Sequence, residues 1–107
     1  MPTLVIHAPH SEVRHNRKQS FLRTFKTGTG DGYAISSGLF QQLSPGDPVI
    51  VICKVHQQQA SGKIQKLVPT IKADNGIQRY DVIMDDLKLV TFDSANVRLN
   101  RNGVAVI

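Results

Sequence analysis

Apolar residues fall in short runs along this chain, and each run ends at a turn-forming residue. Leu4-Val5-Ile6 is the first, closed by His7-Ala8-Pro9-His10, where Pro9 bars continuation as a central strand. Phe21, Leu22 and Phe25 follow at i, i+1 and i+4, a spacing that predicts a helical turn or two over 20–25. Leu39, Phe40 and Leu43 repeat that spacing after Ser36 and Ser37, either of which can cap a short helix. Ser44-Pro45-Gly46-Asp47 stops it, since Pro45 disfavours a helical residue before it. Val49-Ile50-Val51-Ile52-Cys53 is then apolar without a break, the mark of a strand buried on both faces.

The second half changes period. Ile64 and Val68 alternate with Lys63, Gln65 and Lys66, as in a strand with one wet face, after a loop expected around Gln57 to Ser61. Asp74-Asn75-Gly76 predicts a hairpin joining 68–73 to 77–84, and Tyr80, Val82 and Met84 alternate with charged partners. Asp85-Asp86 reads as a break before a further strand over 87–92. Val97 to Leu99 and Val104 to Ile107 read as a last hairpin across Asn102-Gly103. Thr27 to Gly32, with glycines at 28, 30 and 32, reads as a loop, followed by a brief strand over 33–35. The expectation is one domain over 1–107, mainly β (α+β). It is a small pseudobarrel of about six to seven short, mostly antiparallel strands, with one or two short helices in the N-terminal half. Repeated βαβ units are not expected, because no helix separates the later strands.

Composition narrows the class. At 40% hydrophobic residues the chain can build a core. No apolar run approaches the ~20 residues of a membrane helix, and no charged lead and apolar core of a secretory signal are present. Cys53 is the single cysteine, so a disulfide scaffold within the chain is excluded and a reducing, cytoplasmic setting is expected. Thirteen Lys and Arg oppose 8 Asp and Glu, a net charge of +5 with a pI near 9.7. That balance suits nucleic acid as a partner.

The charge is concentrated. Arg14, Arg17, Lys18, Arg23 and Lys26 lie in one segment opposed only by Glu12, placed to contact phosphates. Phe21, Phe25 and Tyr33 are the nearby aromatics. The phenylalanines read as core, and Tyr33, after the glycine-rich stretch, as a residue that lines a site with Gly30. Other chemistry has less behind it. Gly28 to Gly32 lacks the Lys-Ser/Thr ending of a P-loop, and no Ser stands in a G-x-S-x-G elbow. His7, His10, His15 and His56 match no compact zinc spacing. Asp81, Asp85 and Asp86, beside Arg79 and Lys88, read as surface ion pairs. No catalytic residue, metal or cofactor is expected.

The first strand with its His/Pro loop, the glycine-bearing helical insertion, the turn Leu43-Ser44-Pro45-Gly46-Asp47 into 48–54, the restart Ala60-Ser61-Gly62-Lys63-Ile64 and the late Arg79-Tyr80-Asp81-Val82 together resemble the PUA-like superfamily of EVE or ASCH type, over 4–92. The resemblance implies a pseudobarrel that holds RNA, or a modified base in DNA, in a cleft between barrel and helices. The chain has no Trp, so only Tyr33, Tyr80 and the phenylalanines could stack on such a base. A nucleic-acid-binding module is the leading expectation, with no membrane role and a protein partner possible. The alternatives are a small ribonuclease like the SH3-barrel toxins, built on His7, His10 or His56 with Arg14 or Arg79, and a non-catalytic protein-interaction barrel, whose apolar end, 104–107, must be buried in its own sheet, the preferred reading, or in a partner.

Overall fold

The computed structural model describes residues 2–8, 21–54, 56–72, 76–94, 96–100 and 103–107, apart from the side chain of Lys72. The order of elements is β1 (Leu4–His7), α1 (Phe21–Thr27), β2 (Thr29–Ala34), α2 (Ser37–Phe40), β3 (Pro48–Cys53), β4 (Gln58–Lys72), β5 (Gln78–Val90) and β6 (Val104–Val106). Among the described residues six strands form one sheet in the order β2-β5-β4-β3-β1-β6, curled into a half-barrel, so the fold is mainly β with two short helices. Among the described residues no helix is long and apolar enough to cross a membrane.

The unbroken run of β3 has the expected cause. Val49, Val51 and Cys53 point into the larger core with Leu4, Ile6 and Val104, where Phe21 and Phe25 of α1 close the inner side. Ile52 points the other way and packs with Val5 and Ala105 beneath Phe92, Val97 and Leu99. A strand covered on both faces has no position for a polar side chain.

Ser44 to Asp47 ties the short helix to the sheet. Ser36 is the cap of α2, its hydroxyl accepting the Leu39 N–H at 3.4 Å. Asp47 is buried, and its carboxylate accepts the Ser44 N–H at 2.9 Å. The Gly46 N–H donates to the Ile64 carbonyl at 2.7 Å, and the Ile64 N–H to the Asp47 carbonyl at 2.9 Å. Gly46 has a φ of 92°, which a β-carbon would disfavour.

Several expectations are corrected. Residues 29–32 are strand, because β2 pairs with β5 from Thr29 to Ala34 and absorbs Gly32, at φ 71°, in an irregularity between Gly30 and Tyr33. The loop expected over 57–61 shrinks to a turn ending at Gln57, and β4 begins at Gln58. The two strands expected over 64–73 are one, and Asp85-Asp86 does not end β5. At ~3.3 Å per residue the 15 residues of β4 would run to about 50 Å. The molecule's longest dimension is 34 Å, so the β4–β5 hairpin must curl. Three register shifts along it supply the bend. At one, Asp86 and Leu87 oppose the single Gly62; Asp86 takes φ 56°, and a β-carbon on Gly62 would sit 2.6 Å from the Asp85 carbonyl oxygen.

The C-terminal pairing also differs. Val97 to Leu99 are outside the sheet and cover its outer core, while β6 pairs antiparallel with β1. The turn survives as bonds from the Gly103 N–H to the Asn100 carbonyl and from the Asn100 N–H to the Val104 carbonyl. β1 in turn pairs with β3 in parallel, the long crossover between them carrying α1, β2 and α2. The apolar end thus packs largely in its own sheet, with Ile107 left exposed. The expected turn over 74–76 lies outside the described residues, except for Gly76 at φ 82°.

Candidate functional site

Arg14, Arg17 and Lys18, with His10 and His15, lie outside the described residues. Arg23 and Lys26 project from α1 into solvent. The Arg23 Nε is 3.8 Å from an Asp31 carboxylate oxygen, which lays its side chain beside the middle of β2.

Tyr33 is a correction. It is a core residue 2% exposed, and its hydroxyl donates to the His7 carbonyl at 2.8 Å. Burial first, and the Asp31 charge second, raise its pKa above the ordinary 10. It offers no face for a base to stack on. Gly30 is corrected with it. It is buried, and a β-carbon there would meet the Ile6 side chain and the Tyr33 ring, each at 2.9 Å. Gly30 is the space that lets the Tyr33 ring lie against the sheet.

The exposed aromatic surface is elsewhere. Tyr80 lies directly opposite Tyr33 across the β2–β5 pairing, so both rings are on the inner face. Tyr80 comes near the start of β5, where the core thins, and it is only half-buried. Phe40, at the end of α2, stacks on it with ring centroids 4.7 Å apart and planes 14° from parallel. Phe40 itself is 36% exposed. The pair divides two clefts. One, of about 370 Å³, is lined by Tyr80, Ser36, Ser37, Gly76 and Gln78 among others. The second, of about 220 Å³, is lined by Phe40, Leu43, Pro45, Leu67 and Lys66. The first volume is in the range of small-molecule clefts, and an aromatic wall with a few polar groups is their common lining.

Sequence reasoning named Tyr80 only as a possible stacking partner and read Phe40 as part of a helix face. Their stacking depends on α2 being tied beside β4 through Asp47 and Ile64, which no local spacing reveals.

The remaining polar groups hold structure. The Asp81 carboxylate accepts the Gly32 N–H at 2.9 Å, and the Arg79 guanidinium donates to the Gly32 carbonyl. Together they clasp the irregular turn of β2. His7 is on β1 and Arg79 on β5, two strands that are not neighbours in the sheet. Burial, and then the Lys54 charge, lower the His7 pKa below the ordinary 6.5. The Arg79 guanidinium is engaged by the Gly32 carbonyl, and among the described residues no hydrogen bond joins it to His7. Among the described residues no three His, Cys, Asp or Glu side chains converge as metal ligands would. A third, shallow hollow of about 470 Å³ lies where Gly62 opposes the bulge, between Lys63 and Lys88.

No family model matches the chain, and neither the curated proteins nor the solved structures contain a significant match.

Proposed function

We propose that this domain is a nucleic-acid-binding module of PUA-like kind, acting in the cytoplasm on RNA or on DNA carrying a modified base. The observation that carries the reading is the Phe40–Tyr80 stack, half-open to solvent and flanked by a cleft on each side. Aromatic faces of this kind hold unstacked bases whatever their sequence. Support comes from charge. Arg23 and Lys26 are exposed on α1, the helix that leads into β2, and the Arg23 side chain lies beside Asp31, two residues before the Tyr33 that faces Tyr80. Lys66 lines the smaller cleft, within reach of a phosphate whose base rests on Phe40. The basic stretch Arg14, Arg17 and Lys18 precedes α1 in sequence. Cys53, a fully buried thiol, suits a reducing compartment. The ribonuclease reading has less support, because the Arg79 guanidinium is taken up by the Gly32 carbonyl.

Fluorescence anisotropy with short single-stranded RNA, single-stranded DNA and duplex DNA, at two salt concentrations, tests the reading. Single strands should bind more tightly than duplex, and binding should fall with salt. Tyr80→Leu should weaken binding on the order of tenfold, as loss of one base–aromatic contact does. Arg23→Gln with Lys26→Gln should lower the salt slope by about 1.4, two phosphate contacts at ~0.7 each. Absence of binding to all three ligands at low salt overturns the reading.

A further inference from the structure

Among the described residues that line the cleft beside Tyr80, Gln78 carries a side-chain amide, and its orientation is determined by its neighbours. Thr70 and Ile71 of β4 face the single Arg79 of β5, which leaves backbone carbonyls without a regular ladder partner. The Gln78 Nε2 sits among them, donating to the Arg79 carbonyl at 3.0 Å and the Thr70 carbonyl at 3.2 Å, with the Ile71 carbonyl at 3.5 Å. A flipped amide would set its oxygen against three carbonyl oxygens, none of which can donate. The amide therefore has one stable orientation. Its Oε1 makes no hydrogen bond within the described residues, and Gln78 lines the cleft.

We infer that Gln78 is a specificity-determining residue: its Oε1 accepts a hydrogen bond from the exocyclic amino group of a base stacked on Tyr80. The inference rests on the nucleic-acid reading above and names which bases the cleft prefers. A half-buried acceptor that cannot turn into a donor favours a ring edge carrying N–H and disfavours the same ring without it. Adenine, cytosine and guanine each present an exocyclic amino group on their pairing edge, and uracil and thymine do not.

The test removes only that group. Anisotropy titrations compare a single-stranded adenosine oligomer with one of the same length built from purine riboside, which lacks the 6-amino group. The native protein should bind the adenosine oligomer more tightly, on the order of tenfold. Gln78→Met keeps the length of the side chain and removes the acceptor, and it should bind both oligomers alike. A thermal melt reports whether the variant keeps its fold. Equal binding of both oligomers by the native protein overturns this inference and leaves the nucleic-acid reading standing. Preference for adenosine that persists in a folded Gln78→Met variant overturns the assignment to Gln78. Failure to bind either oligomer, or any other nucleic acid, overturns the reading beneath it as well. Should Gln78→Met unfold, the native comparison alone decides whether the amino group is read.

Discussion

Two tyrosines opposite one another on neighbouring strands differ in burial. Tyr33 is enclosed and gives its hydroxyl to the His7 carbonyl, whereas Tyr80 keeps one side open next to Phe40. Tyr33→Phe should therefore cost about 1–2 kcal/mol of stability, because a buried carbonyl loses its donor, while nucleic-acid affinity stays unchanged. Urea unfolding with parallel binding titrations checks both halves. The pH dependence follows from the raised pKa. The folded protein keeps the phenolic proton at pH values where the unfolded chain has already lost it. This contribution is whole below pH ~10 and is lost as pH rises above it toward the folded value. The native protein should weaken there, and Tyr33→Phe should lack that component of the decline.

Among the elements, the β4–β5 hairpin has the most demanding geometry. Its three irregularities were not legible from alternation, since a period of two continues to look like strand through a bulge and only the opposing strand reveals the extra residue. Asp85-Asp86 looked like an end because two charges interrupt the apolar face; the pairing absorbs them as a bulge against Gly62. Gly62→Ala should cost about 1–3 kcal/mol, since its β-carbon would lie 2.6 Å from one backbone atom and 3.1 Å from another, neither able to swing away. Asp86→Gly should go the other way, adding roughly 0.5–1 kcal/mol by relieving a left-handed φ at a residue with a β-carbon. Thermal melts of the two variants should move in opposite directions. The turn before β3 was legible, and its basis is specific. Asp47→Ala should cost about 1–2 kcal/mol by leaving the Ser44 N–H without its acceptor, with Asp47→Asn intermediate in the same melts.

For the molecule as a whole, stability depends on how the C-terminal segment covers the outer core. Gln59 is buried, and its Oε1 accepts the Asp93 N–H at 3.1 Å and the Ser94 hydroxyl at 2.8 Å. That joint holds the 92–99 segment over Val5 and Ile52. Gln59→Leu should cost about 1–3 kcal/mol by stranding two donors. Hydrogen exchange should then rise over 93–107 before it rises in the β4–β5 hairpin; uniform acceleration would show that the segment is not a separate unit. Read alone, the sequence determined the β character, short helices near 20–25 and after Ser36, the doubly buried strand 49–53 and the turn that feeds it. Those features are local: they depend on spacings of two to four residues and on the fixed preferences of Pro, Gly and Ser. Only the tertiary structure decided that residues 29–32 are strand, that β6 pairs with β1, that Tyr33 and Gly30 belong to the core, and that Phe40 meets Tyr80. Each of these depends on which distant segment is adjacent, because strand pairing and burial join residues far apart in the chain and leave no periodic trace within either partner.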